Sequence, residues 1–385
     1  MLSKRLENLH PYVPGEQPKD RDYIKLNANE NPYPPSERTT KAVSALLEAQ
    51  SKRLALYPDP ASETLRDAIA EMLNHTGGVL CTAQIEGEGD FACRPSKADA
   101  IDFEVTRDMI FCGNGSDEVL SLVFYTFFDA ETPLVLPEHT YSFYPVYAGY
   151  YGIPLDKIAL KSDWSLDTDK MLSEAQTNNS ALIFANPNAP TGRALTRSEI
   201  RAMLEKAPSD RAFVVDEAYV DFGGESAIPL LKDFKNLVIV RTFSKSMSLA
   251  GLRIGYVVAN PELIGALETV KNSFNHFPID VLAQTAGEAA CKDVSYYAAN
   301  AKKIVLERNN FCDWLKERGW SVIPSATNFV FAKKDGKGGE ELYRAIKAQG
   351  VLVRHFATAG IEDFLRITIG TAQQMNALKA AMENV

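Results

Sequence analysis

The chain of 385 residues has few cysteines and histidines and lacks any long apolar run. Its five cysteines form no CxxC pair, so the sequence predicts neither a disulfide framework nor a zinc site. Its five histidines lack metal-ligand spacing, and we expect no metal site. No apolar stretch is long enough to span a membrane, and the first residues lack the apolar core of a signal peptide. These absences favour the reducing cytoplasm.

Positive charge is also scarce, since 41 Lys and Arg face 50 Asp and Glu, for a net charge of −9. This balance argues against a nucleic-acid-binding surface. The hydrophobic content of 45% and the charged content of 24% are those of an ordinary globular protein. The length is sufficient for two domains, each with its own core.

Three apolar segments, in chain order, each end in polar residues. Residues 181–192 end in an asparagine- and proline-rich turn, and residues 212–219 end in Asp216 and Tyr219. The third segment, 236–245, ends in Lys245. The bland interpretation of each single residue is a capping or surface group, but the set indicates one polar aromatic ligand.

The chemistry of pyridoxal phosphate explains this set. A lysine amine can form a Schiff base with an aldehyde cofactor, and Lys245 is the candidate. A carboxylate keeps the pyridine nitrogen protonated because it favours the charged form, and Asp216 is placed for that role. The phenol of Tyr219 can hydrogen-bond the phenolate oxygen of the ring. These three residues are the predicted catalytic group.

A phosphate needs backbone N–H groups, hydroxyls and a cation. A glycine turn at residues 113–115 feeds an apolar-periodic helix, whose first-turn N–H groups form an anion site. Plain helix capping is the alternative, and a nucleotide loop is excluded because no GK[ST] follows. The predicted phosphate ligands are Gly115, Ser116, Asp117, Thr242, Ser244 and Arg253.

The order of elements predicts an α/β fold. Strands and helices alternate from residue 110 to 258, as in a parallel sheet with crossover helices. A helix-rich stretch, 261–320, is followed by a compact α+β unit with predicted strands at 328–332, 351–354 and 365–369. The segment 76–104 is predicted to be an insertion, either a surface loop or a small hairpin.

Several motifs together resemble the fold-type-I, pyridoxal-phosphate-dependent aminotransferases, and within them most of all the histidinol-phosphate aminotransferases. The resemblance covers nearly the whole chain. The motifs are Leu26-Asn-Ala-Asn-Glu-Asn-Pro32, Tyr57-Pro-Asp-Pro60, Gly113-Asn-Gly-Ser-Asp-Glu118, Asn186-Pro-Asn-Ala-Pro-Thr-Gly192, Asp216-Glu-Ala-Tyr219, Ser244-Lys245 and Leu365-Arg-Ile-Thr-Ile-Gly370.

The resemblance implies an aspartate-aminotransferase-like fold. A large domain holds a mostly parallel seven-stranded sheet flanked by helices, beside a smaller α+β domain. Residues 1–45 are expected to form an N-terminal arm and part of the small domain, 46–275 the large cofactor domain, and 276–385 the interdomain helix and the C-terminal small domain.

The resemblance also implies further site residues. Tyr141 is expected to stack on the cofactor ring, and Tyr57 to reach the cofactor phosphate of a neighbouring subunit in a homodimer. Arg366 is expected to bind the α-carboxylate of the amino donor, with a buried intraprotein ion pair as the alternative. Arg354 is expected to contact a phosphate or distal carboxylate. Weaker substrate-contact candidates are Tyr12 and Asn29.

One position departs from the family pattern. The family has asparagine immediately before Pro-Thr-Gly, where this chain has Ala189. We expect Asn188, one residue earlier, to take over the contact with the cofactor.

The implied activity is a ping-pong transamination between L-glutamate and imidazole-acetol phosphate, which is a step of histidine biosynthesis. The expected partners are therefore a small amino donor and a keto acceptor, with no nucleic acid and no membrane. Three alternatives stay open. They are an aromatic amino-acid aminotransferase, a threonine-phosphate decarboxylase-like enzyme, and a cofactor-sensing regulator, which would need an appended basic DNA-binding module.

Overall fold

The structure, a computed structural model, describes most of the chain. Two short stretches between residues 81 and 99 are described by their backbone alone. The described residues are 6, 9–12, 14–80, 82, 84–85, 93–94 and 100–383.

A seven-stranded sheet forms the centre of the larger part of the molecule. Its strand order is β4-β10-β9-β8-β7-β5-β6, and all neighbours are parallel except β10, which is antiparallel to β4 and β9. The mostly parallel seven-stranded sheet expected from the sequence is thereby confirmed. The strands are β4 (Ile110–Asn114), β5 (Leu134–Pro137), β6 (Leu155–Ile158), β7 (Leu182–Ala185), β8 (Phe213–Asp216), β9 (Leu237–Thr242) and β10 (Ile254–Ala259).

Helices cover this sheet because its central strands are apolar on both faces, which requires protection from water on both sides. Every residue of β7, β8, β9 and β10 is buried. The helices before residue 320 are α1 (Glu37–Ala49), α2 (Glu63–Thr76), α3 (Gly115–Phe127), α4 (Tyr144–Tyr151), α5 (Thr168–Asn178), α6 (Arg197–Leu204), α7 (Pro261–Phe274), α8 (Val281–Cys291) and α9 (Val294–Glu317).

A second unit is built on a four-stranded sheet of order β11-β12-β15-β14. Its neighbouring strands are all antiparallel, and its core includes Phe329, Leu365 and Met375. The smaller α+β unit expected from the sequence is thus confirmed. Its elements are β11 (Trp320–Ile323), β12 (Phe329–Lys334), α10 (Gly339–Ala348), β13 (Val351–Leu352), β14 (Arg354–His355), β15 (Leu365–Thr368) and α11 (Ala372–Glu383).

The strand predicted at 351–354 is divided between two sheets. β13 pairs in parallel with β1 (Ile24–Lys25) of the N-terminal arm, whereas β14 pairs with β15. Val353 lies between these two strands, so one apolar run pairs first with the arm and then with β15. The arm is therefore hydrogen-bonded to the C-terminal unit, although the domain boundaries given above stay a prediction.

The segment 76–104 contains a two-residue antiparallel ladder, in which β2 (Gln84–Ile85) pairs with β3 (Cys93–Arg94). Most of the segment lies outside the described residues. Its first residues are described, and Val79 and Leu80 are buried against the large sheet.

Two absences hold within the described part of the chain. None of its helices is long and apolar enough to cross a membrane. The cysteines whose side chains are described, Cys112, Cys291 and Cys312, are free.

Candidate active site

The residues predicted from three separate segments surround one cavity, here called the inner cavity. It lies where β8 and β9 end, because parallel strands deliver their carboxyl ends to the same edge of a sheet. Its volume of about 350 Å³ lies near the lower end of the range for small-molecule sites, roughly 300–1,000 Å³. The lining residues are Ala28, Glu30, Ser116, Asp117, Tyr141, Ala185, Ala189, Asp216, Ala218, Tyr219, Thr242, Ser244, Lys245, Ala250, Gly251 and Arg253.

Lys245 lies three residues after β9, between the large sheet and the N-terminal arm. Its Nζ donates to the backbone oxygen of Ala28 at 3.4 Å and lies 5.6 Å from the ring centre of Tyr219. Asn31 of the arm donates to the backbone oxygen of Lys245 at 2.9 Å. The Lys245 amine therefore faces the inner cavity, and a hydrogen bond from the arm holds the main chain of Lys245.

Asp216, the last residue of β8, brings a buried carboxylate to the same cavity. Its side chain accepts a hydrogen bond from Tyr144 Oη at 2.8 Å and one from the backbone N–H of Ala218 at 3.1 Å. Burial raises the pKa of Asp216 to about 6, although the two hydrogen bonds oppose that shift. A cation placed against this carboxylate would restore its charge, which is the role of a protonated ring nitrogen.

Tyr219 is held in place by Asn29. Asn29 Nδ2 donates to the phenol oxygen of Tyr219 at 2.9 Å, and Asn29 Oδ1 accepts from Thr368 at 3.1 Å. Asn29 lines neither the inner cavity nor the adjoining cavity around Arg366. The structure thus places Asn29 behind Tyr219 rather than among the residues that face a substrate.

The predicted phosphate ligands meet at the N-terminus of α3. Arg253 forms an ion pair with Asp117 at 2.7 Å. The hydroxyl of Ser244 is buried and lacks a hydrogen-bond partner among the described residues, although Ser244 lines the cavity. A buried unpaired hydroxyl is costly, and an anion at this end would satisfy it.

Two glycines allow this close assembly. A Cβ on Gly255 of β10 would lie 2.5 Å from the backbone nitrogen of Ser116. A Cβ on Gly115, which has φ +77°, would lie 2.5 Å from Arg253. A larger residue at Gly255 would displace the first turn of α3, and one at Gly115 would displace the guanidinium of Arg253. The donor set therefore fits the phosphate of a pyridine aldehyde whose ring lies against Asp216.

A second cavity, here called the outer cavity, adjoins the first and shares Tyr141 and Ala189 with it. Tyr141 donates to Asp117 at 3.0 Å, so its ring is fixed between the two cavities. The residues of the outer cavity are Tyr12, Glu138, His139, Thr140, Tyr141, Ser142, Pro145, Lys157, Ala189, Pro190, Arg354, Phe356, Thr358, Ile361 and Arg366.

Arg366 lines the outer cavity without a carboxylate partner among the described residues. Its guanidinium carbon lies 5.4 Å from the rings of both Phe329 and Phe356, and it donates to the backbone oxygen of Asn27 at 3.2 Å. Its Nε has no partner in the described part of the chain, and burial lowers its pKa. Among the described residues the alternative of an intraprotein ion pair finds no support, and an anionic ligand would stabilise this cation.

Arg354 and Tyr12 lie in the same wall. The Arg354 guanidinium carbon is 5.3 Å from the Phe356 ring, and the Tyr12 ring is 5.0 Å from that of Phe143. Both side chains reach the outer cavity, so the structure brings two arginines to one substrate-sized space.

The expectation for Asn188 receives no support from its geometry. Its Nδ2 donates to the backbone oxygen of His139 at 2.9 Å and to Thr191 at 3.0 Å. The backbone turn instead places Ala189 in the cavity wall. The polar contacts of Asn188 thus stabilise the turn.

Tyr57 does not reach the inner cavity of its own subunit. It is 82% exposed, and its ring stacks on Phe277 with the ring centres 4.6 Å apart. Any contact that it makes with a cofactor must be with one bound to another copy.

Sequence reasoning missed two residues that hold Asp216 and Lys245 in place. Tyr144 was one of several neighbouring aromatics, and its contact with Asp216 spans 72 positions. Asn31 lies in a motif quoted above but had no assigned role. No local pattern identifies such partners, since each depends on how β8 and β9 align with distant segments.

Comparison with known proteins agrees with this geometry. The sequence pattern described as aminotransferase class I and II matches residues 21–382. The chain is 47% identical over 380 residues to a histidinol-phosphate aminotransferase of Syntrophus aciditrophicus, covering 98% of this chain and 96% of that protein. It is 42% identical over 383 residues to one from Chromohalobacter salexigens, covering 100% and 98% respectively.

Solved structures show the same fold. The histidinol-phosphate aminotransferase of Sinorhizobium meliloti, in complex with pyridoxal-5'-phosphate, has a TM-score of 0.82 at 24% identity, covering 100% of this chain and 96% of that one. A Thermus thermophilus aspartate aminotransferase mutant has a TM-score of 0.79 at 20% identity, covering 100% and 98%. The aspartate-aminotransferase-like fold expected from the sequence is confirmed.

Asp216→Asn should stabilise the protein stripped of its cofactor. The folded state raises the pKa of Asp216 from 3.8 to about 6, so the wild type binds a proton more tightly when folded and loses stability as pH rises. The loss develops between about pH 4 and about pH 7 and reaches about 3 kcal/mol. Urea unfolding across this range should show a gain for Asp216→Asn that grows with pH.

Tyr144→Phe should change the stability in the opposite direction to Asp216→Asn. It removes the donor that favours the carboxylate, so its stability should fall below that of the wild type at the upper end of the range. A gain for Asp216→Asn that is constant with pH would contradict the shifted pKa.

Proposed function

Because the chain belongs to the class I and II aminotransferases, we propose that it is a histidinol-phosphate aminotransferase. It would convert L-histidinol phosphate and 2-oxoglutarate into imidazole-acetol phosphate and L-glutamate, a step of histidine biosynthesis in the cytoplasm. Relatives with that name match the chain over nearly its full length at 47% and 42% identity.

The single observation that carries this proposal is the pair of arginines in the outer cavity. Arg354 and Arg366 line a space that adjoins Lys245 and Asp216 through the shared wall at Tyr141. Both glutamate and histidinol phosphate carry an anionic group near the reacting amine. A guanidinium fork matches either a carboxylate or a phosphate with two parallel hydrogen bonds.

The cofactor of the family is pyridoxal 5'-phosphate, which, when bound, supplies an aldehyde for the amine and an electron sink for the cleaved Cα–H bond. We assign Lys245 to the aldehyde, Asp216 to the ring nitrogen and Tyr219 to the ring oxygen. Ser116, Ser244 and Arg253 would hold the phosphate.

The side chains divide the remaining work. The Lys245 amine would accept the proton from the substrate Cα and deliver it to the cofactor's aldehyde carbon within the same half-reaction, and the second half would run this transfer in reverse. Asp216 stabilises positive charge at its end of the cavity, and Tyr144 fixes the carboxylate that does so. Tyr219, held by Asn29, stays on the Lys245 side, and Arg366 orients the donor's carboxylate.

A substrate panel tests the proposal against its rivals. Purified protein should transfer the amino group of histidinol phosphate to 2-oxoglutarate far faster than that of phenylalanine, and it should release no CO₂ from threonine phosphate. Lys245→Ala should lose turnover and the absorbance band of the lysine-bound cofactor. Preference for phenylalanine, or CO₂ release, would replace the assignment, and normal turnover by Lys245→Ala would overturn the mechanism.

Replacing each of the two arginines should impair the reaction of a different substrate. Arg366→Ala should raise the KM for glutamate and lower kcat/KM by more than about tenfold, since a bidentate charged contact is lost. Arg354→Ala should lower kcat/KM for histidinol phosphate by a similar factor and leave phenylalanine, which has no phosphate, unchanged. Arg→Lys variants serve as charge-matched controls. Equal effects on all substrates would refute the separate roles.

We further propose a homodimer in which Tyr57 completes the partner's site. Tyr57 follows two further exposed apolar side chains in its segment, Leu54 and Leu56, which are 53% and 68% exposed. The loop that carries Tyr57 is held by a hydrogen bond, because Lys271 donates to the backbone oxygen of Pro60 at 2.7 Å. A rigid exposed aromatic near other exposed apolar side chains is typical of an interface.

Mixing variants tests this arrangement. Tyr57→Ala should weaken cofactor retention, and exchange of its subunits with those of Lys245→Ala should create sites with both residues intact, giving about a quarter of wild-type activity at random mixing. The matched control is a mixture of Lys245→Ala and Asp216→Asn, whose residues belong to the same subunit's site, so activity should not recover. No recovery in the first mixture would contradict the shared site.

A further inference from the structure

A buried charged network lies next to Asp216 in the sequence and lines neither of the two cavities. Arg241 of β9 forms ion pairs with Glu217 at 3.0 Å and Asp221 at 3.6 Å, and the side chains of Arg241 and Glu217 are 4% and 0% exposed. Burial opposes the charge of Arg241, but Tyr256, Glu217 and Asp221 outweigh it and raise its pKa. Arg241 therefore keeps its charge, whereas burial raises the pKa of Glu217.

The network reaches the residue next to Lys245. Asp221 Oδ2 accepts a hydrogen bond from Ser246 Oγ at 2.5 Å, and Ser246 is 2% exposed. From the opposite side, Asn31 donates to the backbone oxygens of both Lys245 and Ser246, at 2.9 Å and 3.2 Å. The backbone that carries the amine is thus held between the large sheet and the arm.

The same network also binds the first residues of the segment 76–104. Arg241 donates to the backbone oxygen of Gly78, and Leu80 donates its backbone N–H to Asp221 Oδ1 at 3.0 Å. Gly78 has φ +84°, and a Cβ there would lie 3.0 Å from Ile228, 3.2 Å from Ser226 and 3.4 Å from Arg241. The position therefore favours glycine on two grounds.

Stability alone is a weak explanation for such a network. The cost of taking buried charges out of water can exceed the attraction between them, so apolar residues of similar volume often stabilise a protein as well or better. What these charges give that apolar residues cannot is a fixed geometry, since each oxygen of Asp221 has a separate directed donor. One of these donors, Ser246, is the residue that follows Lys245.

We propose that Ser246, Asp221 and Arg241 are positioning residues for Lys245, joining its main chain to the large sheet and to the first residues of the segment 76–104. The inference rests on the proposed function of Lys245. A small displacement of a reacting amine can lower the rate by about a hundredfold, so fixing this backbone matters to the chemistry.

Ser246→Ala tests the link because it removes only the donor to Asp221. It should lower kcat about tenfold or more through displacement of Lys245, with the KM for glutamate unchanged since Arg366 is untouched. The circular dichroism of the bound cofactor, per mole bound, should also decrease, because the lysine no longer holds it in one orientation.

Ser226→Ala is the matched control. Ser226 is equally buried and donates to Glu217 at 2.9 Å, so it belongs to the same network but lies away from Lys245. Its thermal midpoint should fall as much as that of Ser246→Ala, while kcat and circular dichroism stay those of the wild type. If both variants change kcat equally, or neither changes it, the positioning role is refuted.

Gly78→Ala tests the connection to the segment, with Gly336→Ala as control. Gly336 has a similar φ of +79°, but a Cβ there would meet no atom of the described residues within 4 Å. The control therefore reproduces the backbone strain without touching Arg241. Gly78→Ala should lower kcat and the circular dichroism signal, and Gly336→Ala should change neither. Equal effects from both would remove the segment from the proposal.

The Lys245→Ala variant separates failure of this inference from failure of the proposed function. If Lys245→Ala loses the absorbance band while Ser246→Ala behaves like Ser226→Ala, only the positioning role fails. If Lys245→Ala keeps the band, the proposed function fails first.

Discussion

Burial of the Asp216 carboxylate is the constraint on which the site depends. The side chain sits at the end of a fully buried strand, where a charge is unfavourable, and Tyr144 holds it in one orientation. In the proposed site a protonated pyridine ring would supply the missing counter-charge, so binding and activation of the cofactor would rely on one interaction. The protein accepts a destabilised carboxylate at this position, and the ligand relieves it.

The rest of the site is arranged around that carboxylate by two separate units. The large sheet supplies Asp216, Lys245 and the N-terminus of α3. The arm and the small unit supply Asn29 and Arg366, which contact the same region from the other side. Because β1 pairs with β13, the arm is hydrogen-bonded to the unit that carries Arg366. The arm therefore connects the unit that carries Arg366 to the backbone of Lys245 through hydrogen bonds.

The sequence predicted the fold class and the grouping of Asp216, Tyr219 and Lys245, because polar residues at the ends of successive parallel strands must share one edge. It did not predict the antiparallel β10 or the division of residues 351–354 between two sheets. The assignment of Asn188 also depended on backbone geometry, which turned Ala189 toward the cavity. A charge inside an apolar strand, as at Arg241, was the one visible signal of the buried network.

The ring nitrogen of the bound cofactor offers the most direct test of the account. With ¹⁵N-labelled pyridoxal 5'-phosphate in the wild type at mildly alkaline pH, the ¹⁵N resonance should report a protonated ring nitrogen, held so by Asp216. In Asp216→Asn under the same conditions it should move to the unprotonated position. An unprotonated nitrogen in the wild type, or a protonated one in the variant, would contradict the central role of this carboxylate.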